Sequence, residues 1–155
     1  ISVVHTRIFC LRLGLGIDPD NLYISCRVKD GGLYPGGQGT QKGSGVFIYL
    51  DTKNECLKEP AEGVYKVWCS YKGDITVWQG NKGKWENSEL EGLQITPSVV
   101  PGGYELAFTI PLNRSFNKDT MRLCATLSTK TYTETLVHSN ADWSCTWMKM
   151  NLGGH

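Results

Sequence analysis

A chain of 155 residues with 16 lysines and arginines against 15 aspartates and glutamates carries a net charge of +1. That balance argues against duplex nucleic acid or an anionic membrane surface as partner, and the length fits one domain, residues 1–155, with a sizeable core. No apolar run approaches the roughly 18 residues of a membrane span, so no membrane insertion is expected, and any secretory leader would have been removed or lie upstream.

Eighteen glycines with only six prolines, and frequent Thr, Val, Tyr and Trp, point to many short strands joined by tight turns. The six cysteines, Cys10, Cys26, Cys56, Cys69, Cys124 and Cys145, are dispersed and include no CxxC pair. Zinc and dithiol redox sites place ligands in close pairs, so disulfides in an oxidising compartment are the expectation, with reduced, buried cysteines as the alternative. Disulfides imply a secreted, extracellular or cell-surface protein. Six cysteines allow about 15 pairings; strand parity singles out Cys26 and Cys69, both directed inward, as one candidate bridge.

In chain order, residues 6–15 alternate as a strand, with Phe9, Leu11, Leu13 and Leu15 on one face. Asp18-Pro19-Asp20-Asn21 is a turn, Pro fixing φ and Asp and Asn bonding their own backbone. Residues 22–29 return with Leu22, Ile24, Cys26 and Val28 inward, making a hairpin. Residues 30–45 hold seven glycines in 16 positions; without a GxxxxGK[ST] or GxGxxG-to-helix pattern, this is a surface loop and not a phosphate cradle. Strands follow at 46–50, at 63–70 (Val64, Lys66 and Trp68 on one face, Tyr65, Val67 and Cys69 on the other) and at 75–78. Trp85 stands beyond the glycine-rich turn 80–84, and a weaker strand runs over 93–100.

The clearest strand is 103–110. Tyr104, Leu106, Phe108 and Ile110 alternate with Glu105, Ala107 and Thr109, and Pro111, which has no N–H to donate, ends the ladder. Residues 121–128 alternate again with Met121, Leu123, Ala125 and Leu127 inward, and a last strand lies near 149–152. Regularly spaced strands with no amphipathic helix predict an all-β fold, a two-sheet antiparallel sandwich of immunoglobulin-like or jelly-roll-like kind.

Several local words, in order, carry a resemblance. Residues 19–30 (PDNLYISCRVKD), 45–51 (GVFIYLD), 65–67 (YKV), 103–111 (GYELAFTIP) and 140–143 (NADW) with 147–152 (WMKMNL) are similar to successive strands of family 9 carbohydrate-binding modules. The resemblance implies a β-sandwich that binds sugar chains without catalysis, as an appendage of a secreted or cell-surface protein. The family's opening strand has no counterpart at the start of this sequence. The family places an acidic residue where this chain has Phe47, an Arg where it has Lys66, and a Trp near Gln41 and Lys42. Asn140-x-x-Trp143 is retained, and in the family it supplies an aromatic wall with a polar neighbour.

Sugar recognition needs flat aromatic faces bordered by side chains that hydrogen-bond hydroxyls. Five tryptophans supply candidates: the ligand-binding residues expected for a polysaccharide or glycan are Trp143, Asn140, Trp68, Lys66, Trp78 and Trp85, with Asp142 as a further polar partner. For Trp68 and Trp147 core packing is the competing reading, and for Trp78 and Trp85 packing against a loop. Catalysis has little support: His5, His138 and His155 fit no catalytic pattern, and nothing pairs Glu105 with Glu134 as glycosidase carboxylates. No cofactor is expected. Calcium is possible at residues 51–55, where Asx-turn capping explains the oxygen ligands equally well, and haem ligation by Met121 and His138 has no supporting spacing. The alternative function is a structural subunit of an extracellular fibre or surface layer, a homo-oligomer formed through an open sheet edge with Ile1-Ser2-Val3-Val4 as the donated strand.

Overall fold

A computed structural model of the chain describes residues 2–5, 10–35, 43–129, 133–135 and 141–153. Among these residues the protein is an antiparallel β-sandwich, as the alternation predicts. Its strands are β1 (Ser2–His5), β2 (Cys10–Ile17), β3 (Asn21–Lys29), β4 (Gly45–Asp51), β5 (Val64–Ser70), β6 (Ile75–Asn81), β7 (Lys84–Asn87), β8 (Gln94–Val100), β9 (Gly103–Pro111), β10 (Thr120–Ser128), β11 (Thr133–Thr135) and β12 (Met148–Asn151). A short 3-10 turn, Ser144–Thr146, precedes β12. One sheet runs β1-β2-β3-β9-β8; the other runs β11-β10-β4-β5-β6-β7, with β12 also paired to β10.

The tight turns follow from residue type. Asp18 Oδ1 accepts the N–H groups of Asp20 (2.8 Å) and Asn21 (2.7 Å), closing the β2–β3 hairpin as an Asx turn. Between β6 and β7 both central residues take positive φ, Lys82 at 48° and Gly83 at 84°, the backbone of a type I′ hairpin. That tight turn makes Trp85 a strand residue, where the sequence suggested a loop.

Inside, the two sheets present complementary apolar faces. Tyr104, Leu106, Phe108 and Ile110 of β9 are buried with Leu11, Leu13, Leu22, Ile24 and Val28 of the same sheet. Val46, Ile48, Leu50, Val67, Met121, Leu123, Ala125 and Leu127 meet them from the other. Leu15, expected on the core face, is exposed near the end of β2. Gly103 holds β9 close to β3: a Cβ there would collide with the Val28 carbonyl oxygen.

Two expectations are corrected. All six cysteines are free, so the disulfide framework is absent, and with it the cysteine argument for an oxidising compartment. Cys26 and Cys69 do point into the core, as parity required. They belong to opposite sheets, and both are free thiols. Burial, more than their mutual influence, raises the Cys26 thiol pKa well above its usual range, and burial likewise raises that of Cys69. Second, Ser2 to Val4 of the expected donor Ile1-Ser2-Val3-Val4 lie in β1, which pairs with β2 of its own chain, joining Ser2 to Arg12, Val4 to Leu11 and His5 to Cys10.

Candidate functional site

An antiparallel sheet on a two-layer core is expected to show water its second face. The β2-β3-β9 face does so, with Tyr23, Ser25, Arg27 and Lys29 of β3 all exposed. The outer face of β4-β5-β6 does not. Along β4 the outward residues Gly45, Tyr49 and Asp51 are buried and Phe47 partly so. A second, smaller apolar cluster gathers there, built from Tyr49, Val64, Cys124 and Trp147, with Phe47, Trp85 and Ala141 packed against it.

Register explains how it assembles. Trp68 pairs with Phe47, and Lys66 pairs with Tyr49 on one side and Trp78 on the other. Gly45 has no side chain, and the Trp68 ring lies over it; a Cβ at Gly45 would run into that ring and come within 2.6 Å of the Cys69 carbonyl oxygen. Trp68 then packs on Phe47 at 4.7 Å between ring centroids, and Phe47 continues to Trp78 at 6.3 Å and to Tyr49 at 6.2 Å. Tyr49 in turn meets Trp85 at 6.0 Å and Trp147 at 5.6 Å. Burial holds the Tyr49 phenol protonated well beyond its ordinary range.

Lys66 stands in the middle of these rings. Its Nζ lies 4.9 Å from the Trp78 centroid, 5.1 Å from Phe47, 5.7 Å from Trp85 and 5.8 Å from Tyr49. A cation within about 6 Å of a ring face is attracted by its quadrupole. Lys66 makes no hydrogen bond or ion pair with another described residue. Burial lowers its pKa, and the charge of Asp142 opposes that shift.

Asp142 borders the rings. Its Oδ1 accepts the indole N–H of Trp85 at 2.9 Å. The segment that carries it is anchored by the loop after β4: the Leu57 N–H donates to Ser144 Oγ (2.7 Å) and the Cys145 N–H to the Leu57 carbonyl (3.0 Å). Trp143, next to Asp142 in the chain, is 43% exposed.

The six expected site residues therefore divide. Lys66, Trp68, Trp78 and Trp85 converge on one face; Trp68 is itself buried and underlies Phe47. Trp143 is exposed and follows Asp142 in the chain. Asn140 lies outside the described residues, as do Gln41, Lys42 and His138. Sequence reading did not place Phe47, Tyr49 or Trp147 among the ligand-binding residues. The signal for the first two was present: the run Val46-Phe47-Ile48-Tyr49-Leu50 does not alternate, which marks a strand covered on both faces. The possible calcium site resolves into a turn, because the buried Asp51 carboxylate accepts the N–H groups of Glu55 (3.2 Å) and Cys56 (3.0 Å). Met121 is a core side chain, and Glu105 is paired with Arg27 at 2.8 Å on the other sheet.

Two solved structures match this architecture over 100% of the chain, each with a TM-score of 0.78 and 14% sequence identity. Both are of a carbohydrate binding module family 9 protein from Caldicellulosiruptor kristjanssonii, one in complex with cellotriose and one with glucose; the match spans 80% and 82% of those chains. The fold is that of a family 9 module. At this identity the likeness is one of fold, which is what the ordered sequence words implied. By sequence, no family model and no curated protein matches the chain.

Proposed function

We propose that this domain is a carbohydrate-binding module, working without catalysis, whose ligand lies against the outer face of β4-β5-β6. The observation that carries the reading is the cluster of Phe47, Tyr49, Trp78 and Trp85 around Lys66, with Asp142 bonded to Trp85 and the exposed Trp143 next to Asp142 in the chain. Aromatic faces take the apolar side of a pyranose ring, while an ammonium donates to hydroxyl oxygens and a carboxylate accepts from hydroxyls. The fold neighbours, in complex with cellotriose and with glucose, support the same ligand class. A polymeric glycan is met outside cells or on their surface, and this is the support for placing the module there.

Affinity electrophoresis through gels containing soluble polysaccharides tests the reading, with Trp143→Ala and Trp78→Ala as variants. The wild type should be retarded by at least one glucan, Trp143→Ala should lose retardation while keeping its melting temperature, and Trp78→Ala should lose it as well. A wild type indifferent to every glycan tried, in gel and on an array, would leave a sandwich fold without this function.

A further inference from the structure

At the centre of the aromatic face stands a cation that no described residue pairs. Nζ of Lys66 lies 4.9–5.8 Å from the centroids of Trp78, Phe47, Trp85 and Tyr49, a range at which the ring quadrupoles favour the ammonium form. Elsewhere cations meet carboxylates directly, Arg27 with Glu105 at 2.8 Å and Lys53 with Glu62 at 3.8 Å. Asp142, whose charge acts on Lys66, accepts the Trp85 indole N–H and forms no ion pair with Nζ. The three N–H groups of a half-buried ammonium are thus left to water. A ligand oxygen that bears negative charge is the better acceptor, because ionised partners make hydrogen bonds roughly twice as strong as neutral ones.

Strand register sets where that oxygen would come from. Tyr49, Lys66, Trp78 and Asn87 form one row across β4, β5, β6 and β7. Neighbouring strands lie about 4.8 Å apart, so Trp78 stands between the ammonium on one side and the exposed Asn87 on the other. A pyranose stacked on that indole turns ring substituents toward both. We infer that the sugar this face prefers is acidic: a pyranose lying on Trp78 whose anionic group, a carboxylate or a sulfate ester, is held by Lys66 Nζ, with a hydroxyl reaching Asn87. The inference rests on the proposed carbohydrate reading of that face.

The surrounding charges make the preference severalfold and no more. Lys66 is a point charge on a flexible stem, so it selects for negative charge and not for the shape of the group that carries it. Asp142 opposes a bound anion, and water screens a pair that is only half buried. Neutral sugars keep the rings and the hydroxyl bonds, and are bound more weakly by the same face.

The test titrates the intact protein, read by tryptophan fluorescence at low salt, with sugars matched except for charge. The pairs are methyl glucoside with methyl glucuronide and methyl galactoside with methyl galacturonide; the sulfate ester of the better neutral glycoside separates the two sources of charge. In at least one pair the acidic member should bind severalfold more tightly, and added salt should shrink the margin. Lys66→Arg should keep the margin, and Lys66→Met should lose it while its circular dichroism stays that of the wild type. A sulfate ester that binds as well as the uronide assigns the preference to charge in general; one that binds no better than the neutral glycoside assigns it to a carboxylate. Equal binding of charged and neutral members overturns the acidic preference and leaves the carbohydrate reading standing. A margin that persists in Lys66→Met puts the anion on another cation and overturns the assignment to Lys66. If no member of either pair alters the fluorescence, both readings fall.

Discussion

The two sheets share one construction inward and opposite ones outward. On β2-β3-β9 the outer face is a row of small residues, Gly14, Ser25 and Ala107, set beside the Arg27–Glu105 ion pair. On β4-β5-β6 the outer face gathers Phe47, Tyr49, Trp78 and Trp85 around one lysine, with Trp68 packed on Phe47. The first face is what a two-layer sandwich needs for stability and solubility, since it leaves polar and small side chains to water. The second buries large rings where the core gains nothing from them. That excess of apolar surface away from the core is the ground on which the ligand is proposed to lie there.

The core beneath both faces should respond most strongly to change. Phe108, 1% exposed at the centre of β9, should cost about 3–5 kcal/mol when replaced by Ala, the range for an aromatic-to-cavity substitution. Denaturant unfolding measures it. A loss below about 1 kcal/mol, the level of an ordinary surface change, would mean that the inner faces do not close as described. Thiol titration reads the same closure without mutation. In the native protein Cys56 should react first, and Cys26, Cys69 and Cys124 only on unfolding. Native protein lacking titratable thiols would restore the disulfide framework.

A smaller effect separates the faces. Gly45→Ala pushes a methyl into the Trp68 ring, an overpacking expected to cost about 1–3 kcal/mol. Because Trp68 supports Phe47, the variant should weaken glycan retention along with stability. Gly14→Ala meets only the Ser25 hydroxyl on the other face, and should leave retention unchanged. Equal losses of retention in the two variants would erase the distinction between the faces.

Acid–base behaviour gives a subtler contrast. Burial lowers the Lys66 pKa, so the folded state binds that proton less tightly than the unfolded state does. The penalty is fully present below the folded pKa and is relieved as pH rises from there toward the unfolded value, about 10.4. Burial raises the pKa values of Tyr49 and Cys69, acids for which the sign is reversed: their contribution is present at neutral pH and lost as pH climbs through the alkaline range. Comparing the wild type with Lys66→Met isolates the lysine. The variant should be more stable relative to wild type near neutrality, and the gap should narrow as pH approaches about 10. A gap independent of pH would mean that Lys66 titrates as an exposed lysine does.

How much of this was legible depended on the face. The inward residues of β9 and β10 could be read directly because successive side chains of a strand point to opposite faces and the large apolar ones fall at every second position. Lys66, Trp68, Trp78 and Trp85 could be named as candidates from residue type and parity. Their convergence could not, since it depends on which strand lies beside which: Lys66 meets Trp78 through the β5–β6 ladder and Tyr49 through β4–β5. Phe47 escaped because a continuous apolar run assigns neither face. The cysteines misled because an even, dispersed set of cysteines does not by itself fix whether they are bridged.

The smallest expected effect lies on the plain face. Arg27 Nε donates to Glu105 Oε1 at 2.8 Å, but the two side chains are 71% and 39% exposed. An ion pair in that setting is screened by salt and opposed by the side-chain entropy of holding it, and such pairs contribute about 0.2–1 kcal/mol. Arg27→Ala should therefore shift the unfolding midpoint only slightly, and less still in high salt. Its value is as a control on location. The groove over Gly14, Ser25 and Ala107 beside this pair has a volume of about 370 Å³, comparable to a small ligand site, yet it is lined by small and charged side chains and has no aromatic ring on which a pyranose could stack. Glycan retention should thus be indifferent to Arg27→Ala while Trp78→Ala abolishes it. Retention lost with Arg27 and kept without Trp78 would move the ligand to the opposite sheet and leave the aromatic face as a second core.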